Sequence, residues 1–190
     1  GGVGTALLEL GKLAGLRMYA TASAAKHHVL ARFGAVAIDY RTEDFVACVM
    51  RHEPEGVHAV FDPIGWENWQ RSFRTLRKGG AFVGYGFTSI LSDVASDEKK
   101  NSLLAGWRTL SENKKTPDGN DAFIYSLTTL KQNEPAWYKE DLSQLLKWLA
   151  ERKIRPIVAK TFPLQDASRA HEYLSSSAAI GKIVLHCVSS

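Results

Sequence analysis

The feature that most constrains this chain is the glycine-rich stretch "GGVG" at residues 1–4, which runs directly into an apolar helical pattern. Residues 5–16 place apolar side chains at helical spacing, and Gly15 follows as a stop signal. A glycine-rich turn opening a helix is the device with which dinucleotide-binding folds hold phosphate groups. Since any glycine-capped helix would match "GGVG", the prediction depends on the segments that follow it.

Helical and strand patterns alternate over the first ninety residues. Ser23 and Thr42 are placed to cap the second and third helices, and "WENWQRSFRTL" predicts a fourth. The predicted strands are "LRMYATA", "AVAID", "VHAVFD" and "GGAFVGYGF". This alternation is typical of right-handed βαβ crossovers, so we expect an α/β fold with a Rossmann-type, doubly wound parallel sheet.

The second half of the chain has a different organisation. Residues 88–121 are polar, which predicts a long loop. Helices are expected at 121–132 and 137–152, the second with an inward leucine stripe at Leu142, Leu145, Leu146 and Leu149. The extended stretch "IRPIVAKTFPL", a short helix at 166–175 and the strand "GKIVLHCV" complete the chain.

Composition restricts the class of protein. The net charge is +4 over 190 residues, and no run of about eighteen apolar residues predicts a membrane span. The basic patches at 74–78 and 114–115 lack an aromatic stripe, so we expect no nucleic-acid partner. Cys48 and Cys187 show no metal-ligand spacing, and the pair His27–His28 begins no metal motif. We therefore expect a cytoplasmic protein without a metal site and without a membrane interaction.

The end of the first predicted strand bears on the choice of cofactor. NAD-binding folds usually place an Asp or Glu there, but this chain has no carboxylate between Glu9 and Asp39. The small residues around Ser23 leave room for a 2′-phosphate that the ammonium of Lys26 could reach. Lys26 and Arg41, which ends the next strand segment, could equally be ordinary exposed cations, and we favour the phosphate-binding interpretation, which predicts NADP.

The motifs together resemble a known family. "GGVGTALLELGKLAG", "IDYRTEDF", "VFDPIG", "LRKGGAFVGYGF" and "AIGKIVL" are similar, in this order, to the cofactor-binding part of medium-chain dehydrogenase/reductases. The strongest similarity is to the zinc-independent quinone oxidoreductase branch, the zeta-crystallin-like proteins. The resemblance implies an NADPH-dependent reductase of quinones or α,β-unsaturated carbonyls.

The resemblance also implies a set of site residues. Lys26 and Tyr40 would hold the 2′-phosphate, the turn at 62–65 would line the cofactor cleft, and the end of the "GYGF" strand would lie near the nicotinamide. The predicted cofactor-binding residues are Gly1, Gly2, Val3, Gly4, Ser23, Lys26, Tyr40, Asp62, Ile64, Gly65, Gly86 and Phe87. No residue of this chain is predicted to be catalytic.

In the family, a catalytic domain and a first Rossmann strand precede the glycine turn. We therefore expect a fragment with an NADP-binding domain at 1–156, and a segment at 157–190 that would return to the catalytic domain. We also expect that the chain alone does not form a stable, active reductase. The strand "KIVLHCV" is a candidate to fill the place of the first strand.

Two other classes stay open at this point. The chain could be a non-catalytic nucleotide-binding or structural module, or it could derive from a zinc-dependent alcohol dehydrogenase. For the quinone or enone reductase, the resemblance predicts a homodimer formed through the sheet edge near "GGAFVGYGF".

Overall fold

The structure is a computed structural model that describes residues 1–90 and 96–187. Helices and strands alternate along most of its length. The helices are α1 (Gly2–Leu13), α2 (His27–Arg32), α3 (Phe45–His52), α4 (Trp66–Phe73), α5 (Asp97–Asn113), α6 (Leu127–Asn133), α7 (Pro135–Ala150) and α8 (Ala167–Ser175). The strands are β1 (Tyr19–Ala22), β2 (Val36–Asp39), β3 (Val57–Asp62), β4 (Leu76–Gly84), β5 (Asp121–Ile124), β6 (Val158–Pro163) and β7 (Lys182–His186).

One compact unit consists of residues 1–42 and 141–190. Within it β1 pairs with β2 and β6 pairs with β7, both in parallel. A small apolar core forms where Leu8 of α1 packs with Leu30 and Ala35. This unit carries the glycine-rich turn at the start of α1.

The other unit consists of residues 43–140 and holds a parallel sheet in the order β3–β4–β5. Its core is aromatic, with Trp69 and Phe73 of α4 packed on Phe82 of β4. The rings of Phe73 and Phe82 meet edge to face, with centroids 4.8 Å apart. Leu103 and Leu110 of α5 complete the buried cluster.

All pairs of named strands in the described residues are parallel, which confirms the predicted α/β class. The first four predicted strands are present. The proposed division at residue 156 stays a prediction, although β6 and β7 belong to the same compact unit as residues 1–42.

The predicted loop at 88–121 was wrong, and the predicted helix at 121–132 is present only in its second half, as α6. Helix α5 occupies residues 97–113 of the supposed loop, capped by Ser96, whose side chain accepts a hydrogen bond from the backbone N–H of Lys99. It forms because Leu103, Gly106 and Leu110 recur at helical spacing and are buried, although most of its residues are polar. Residues 121–124 instead form β5, because pairing with β4 outweighs a local helical preference.

Two predicted helix caps also differ from the structure. Ser23 precedes a single 3₁₀ turn rather than α2, and its side chain makes no capping hydrogen bond. Asp44, not Thr42, caps α3 by accepting a hydrogen bond from the backbone N–H of Val46 at 3.1 Å. Helix α2 starts three residues later and α3 two residues later than the predicted caps imply.

Further corrections concern the edges of the sheets and helix α7. The strand "GGAFVGYGF" is not an edge, because β4 lies between β3 and β5. The strand "KIVLHCV" does not fill a gap beside β1, because β7 pairs with β6. The leucines of α7 that were expected to point inward are more than one-third exposed.

Candidate functional site

The glycine-rich turn opens helix α1. Gly1 is the N-cap, no side chain caps the helix, and the backbone N–H of Thr5 donates to the Gly1 carbonyl at 3.1 Å. A Cβ atom added at Gly1 or Gly4 would meet no atom within 4 Å, and Val3 is about half exposed. The first N–H groups of a helix have no partner within the helix, and they carry the positive end of its dipole. The start of α1 therefore offers open space and donors to an anion.

A lysine from the far end of the chain lies over this turn. A Cβ atom at Gly2 would stand 2.7 Å from Cδ and 3.3 Å from Nζ of Lys182. Lys182 begins β7, and its backbone N–H donates to the carbonyl of Ile157 at 2.8 Å. Sequence reasoning did not single out Lys182, because nothing local in "GKIVL" indicates what its side chain contacts.

Lys26 is held by the same C-terminal segment. Its ammonium donates to the carbonyl oxygens of Ser177 at 2.5 Å and of Ala179 at 3.4 Å. Segment 177–182 thus contacts both Lys26 and Gly2, so the structure brings the predicted phosphate ligand and the glycine turn to one neighbourhood. An ammonium has three N–H donors, and two carbonyls leave one of them for an anion.

Ser23 and Tyr40 lie at the ends of the two neighbouring parallel strands. Ser23 follows β1 with extended backbone, and the Tyr40 side chain, just after β2, is 56% exposed. The guanidinium of Arg41 stands 5.8 Å from the centroid of the Tyr40 ring. Within residues 1–90 and 96–187 no hydrogen bond or ring contact joins Tyr40 to Lys26, so the role of Tyr40 stays a prediction.

In residues 43–140 the predicted site residues gather at the carboxyl ends of β3 and β4. Asp62 ends β3 and is 3% exposed. Its Oδ1 accepts a hydrogen bond from the backbone N–H of Ile64, and its Oδ2 accepts one each from Asn68 Nδ2 and Ser72 Oγ, all at 2.7 Å. The carboxylate of Asp62 therefore fixes the following turn to helix α4, and sequence reasoning missed both side-chain donors.

The turn at 63–65 is hydrogen-bonded to the loop after β4. The backbone N–H of Thr88 donates to the Pro63 carbonyl at 2.8 Å, and that of Ser89 donates to the Ile64 carbonyl at 2.9 Å. Gly65 has φ 136°, and a Cβ there would lie 2.5 Å from Ser89 Oγ, so glycine is required. Gly86 likewise leaves only 3.1 Å between a Cβ and the Pro63 carbonyl oxygen.

The two loops present apolar side chains at the strand ends. Ile64 is 42% exposed, and Phe87 is 39% exposed with its ring centroid 5.7 Å from that of Trp107. Ligands of open α/β sheets bind at the carboxyl ends of the strands. There the exposed side chains of Ile64 and Phe87 could pack against a planar ring of a ligand.

Tyr85, which was not singled out from the sequence, lies half-buried between these residues. Burial, with a smaller contribution from the nearby Asp62 carboxylate, raises the pKa of the Tyr85 phenol to about 12. The phenol therefore keeps its proton at neutral pH.

The described residues contain no group of three or more His, Cys, Asp or Glu side chains that could hold a metal ion. Within the same ranges, no helix combines the length and apolarity needed to cross a bilayer.

With this geometry in view, the family can be assigned. The profile of a family described as "zinc-binding dehydrogenase" matches residues 33–185. The chain belongs to the zinc-binding dehydrogenase family. This confirms the predicted resemblance to medium-chain dehydrogenase/reductases of the quinone oxidoreductase-like branch.

Relatives of this chain come from animals and bacteria. A "Synaptic vesicle membrane protein VAT-1 homolog" from Danio rerio is 28% identical over 195 residues, covering 97% of this chain and 39% of its own length. The solved Escherichia coli quinone oxidoreductase, complexed with NADPH, is 26% identical with a TM-score of 0.73, over 97% of this chain and 54% of that one. The CurK enoyl reductase matches in fold, with 23% identity, a TM-score of 0.75, and coverage of 98% and 52%. The chain thus spans about half the length of these proteins.

Proposed function

We propose that the chain is the cofactor-binding part of an NADPH-dependent oxidoreductase that transfers hydride to quinones or α,β-unsaturated carbonyls. The observation that carries the proposal is the ammonium of Lys26, held beside a glycine-opened helix on a strand end without a carboxylate. The family assignment supports an oxidoreductase, and the E. coli quinone oxidoreductase was solved with NADPH.

The residues at the start of α1 suit the phosphates of NADP. Gly1 and Gly4 leave the helix start open, and Lys26 and Lys182 supply positive charge close to it. The pyrophosphate would accept hydrogen bonds from the N–H groups of α1, assisted by the helix dipole. Lys26 would donate its remaining N–H to the 2′-phosphate, a group that NADH lacks.

The loops after β3 and β4 offer a surface that would suit a nicotinamide ring. Asp62 holds the turn at 63–65 rigid through its three hydrogen bonds. Ile64 and Phe87 would offer apolar surface that excludes water from a bound nicotinamide. The bound cofactor would supply the hydride, and the chain's residues bind and orient it.

The test is a fluorescence titration of the chain with NADPH and with NADH. We expect tighter binding of NADPH, because only NADPH carries the charged group that Lys26 can reach. Equal affinities, or tighter NADH, would contradict the proposal.

The oligomeric state and the cellular location of the protein are part of the same proposal. We propose a cytoplasmic homodimer that acts on a small quinone or enone. With β4 in the middle of its sheet, the edges in residues 43–140 are the outer sides of β3 and β5, and we place the dimer at β5, where Phe123 is 51% exposed. An uncovered strand edge favours pairing with another chain.

A further inference from the structure

A basic cavity lies at the end of α1 opposite the glycine turn. Its volume is about 690 Å³, and its lining belongs entirely to residues 1–42 and 141–190. Five lining side chains are cations and one is a carboxylate: Lys12, Arg32, Arg152, Lys153 and Arg155 against Glu9. Lys12 is ten residues beyond Gly2, which corresponds to about 15 Å along the helix. The cavity is therefore separate from the proposed NADP site.

Some of these charges already have partners. The ammonium of Lys12 donates to the backbone carbonyl of Arg32 at 2.9 Å, and that of Lys153 pairs with Glu151 at 2.8 Å. The Glu9 carboxylate accepts a hydrogen bond from the backbone N–H of Arg155. Because the Glu9 carboxylate already accepts from a main-chain donor, it neutralises the positive charge of the cavity only in part.

Three guanidinium groups at the cavity have no carboxylate partner that would neutralise their charge. In the part of the chain that the structure describes, no carboxylate pairs with Arg32, Arg152 or Arg155. Like charges around one cavity repel each other, and an anion between them would remove that repulsion. Guanidinium forks match the oxygens of phosphate groups with two parallel hydrogen bonds.

Ordinary helix stabilisation explains only part of this cluster. Lys12 and Arg32 stand in the last turns of α1 and α2, where cations interact favourably with the helix dipole. Arg155 lies in no helix, and Arg152 follows α7 with a left-handed φ of 55° that is uncommon for such a residue. The helix dipole therefore gives no account of Arg155, which is exposed at the cavity.

We propose that this cavity binds a small molecule carrying a di- or triphosphate group. The cavity has the volume of typical small-molecule sites, which range over roughly 300–1,000 Å³. Leu13, Phe33 and Ile157 add an apolar wall for the body of the ligand. The proposal is independent of the proposed NADP site, because it uses none of that site's residues.

The experiment is isothermal titration calorimetry of the full chain with inorganic tripolyphosphate at low salt. The test variant is the double substitution Arg152→Gln and Arg155→Gln. The control, Arg51→Gln with Arg108→Gln, removes the same charge from exposed positions in residues 43–140. Losing two charged hydrogen bonds predicts tripolyphosphate binding weaker by about tenfold or more in the test variant, with the control unchanged. Circular dichroism checks that all variants fold.

A Lys26→Ala background separates this cavity from the cofactor site. We expect the test pair to weaken tripolyphosphate binding by the same factor in the unmodified chain and in the Lys26→Ala background, and Arg32→Gln alone to weaken it. Equal weakening in the test and control pairs would mean that only net charge matters. That result, an effect of the test pair that disappears in the Lys26→Ala background, or no binding to the unmodified chain would each overturn the proposal.

Discussion

At the scale of single residues, Asp62 shows how a buried carboxylate can hold the conformation of a turn by accepting hydrogen bonds. It is acceptor-only, and both of its oxygens are used by donors of its own chain. The sequence placed Asp62 in a cofactor cleft through the resemblance of "VFDPIG" to the family. The structure adds that its direct contacts are the backbone of Ile64 and the side chains of Asn68 and Ser72, while a contact with cofactor stays a prediction.

Replacing this carboxylate should cost stability. We expect Asp62→Asn to lower the free energy of unfolding by about 1–3 kcal/mol, because an amide turns an acceptor into a donor facing the donors Asn68 and Ser72. Urea denaturation measures the change. Asp118→Asn, at an exposed position, should leave the midpoint within experimental error. Equal effects of the two substitutions would contradict this role of Asp62.

The Tyr85 phenol predicts a specific alkaline sensitivity. Its pKa is about 12 in the folded chain against a usual value of 10, so above pH 10 the folded state binds more protons than the unfolded state. Stability contributed by Tyr85 is therefore complete below pH 10 and is lost as pH rises through 12. We expect the unfolding free energy of the unmodified chain to fall more steeply between pH 10 and about pH 12 than that of Tyr85→Phe. Identical slopes would show that Tyr85 is not buried as described.

At the scale of elements, α5 shows where sequence patterns mislead. Its run "DEKKNS" resembles a loop, yet the stripe of Leu103, Gly106 and Leu110 meets the aromatic core. Gly106 is the contact point, because a Cβ there would overlap the ring of Trp66. Glycine usually weakens a helix interior, but here it permits close packing.

Gly106→Ala tests that contact. Without a neighbour, the substitution would stabilise a helix by up to about 1 kcal/mol. Against Trp66 we expect destabilisation by about 1–3 kcal/mol instead, as for other overpacked cores. Thermal unfolding measures it, and Ser111→Ala on the exposed face of the same helix provides the control. A rise in stability for Gly106→Ala would contradict the described packing.

The elements that sequence reasoning predicted best are those with strong local signals. Strands β1 to β4 follow from short apolar runs bounded by turn residues, and the left-handed glycines Gly15 and Gly34 end α1 and α2 as expected. The contacts of Lys26 could not be predicted, because its acceptors at Ser177 and Ala179 lie more than 150 residues away. The same holds for Lys182 over Gly2, since no local pattern encodes a long-range side-chain contact.

At the scale of the whole molecule, apolar surface stays uncovered in the chain. Helix α7 has no fully buried residue, and Leu146 and Trp137 are 55% and 64% exposed. The expectation that the leucine stripe of α7 points inward was wrong, because periodicity identifies an apolar face without identifying what covers it. The expectation that the chain alone is not a stable, active reductase stays a prediction.

The proposed homodimer can be tested at the edge of β5. We expect light scattering to give twice the chain mass, and Phe123→Lys to shift it to the monomer, because a buried lysine opposes strand pairing. Leu104→Lys replaces an apolar residue on α5 that is 63% exposed, and it should leave the dimer intact. A monomeric unmodified chain, or a dimer that survives Phe123→Lys, would contradict the β5 interface.

The central claim is that Lys26 selects the 2′-phosphate of NADP, and its most direct test compares two lysine variants. The measurement is the fluorescence-determined Kd for NADPH and for NADH in Lys26→Ala, with Lys147→Ala as an exposed control. Losing one charged hydrogen bond predicts a cost of about 1–3 kcal/mol for NADPH, little change for NADH, and no change for either cofactor in the control. Equal losses for NADPH and NADH in Lys26→Ala, or none for NADPH, would contradict the account.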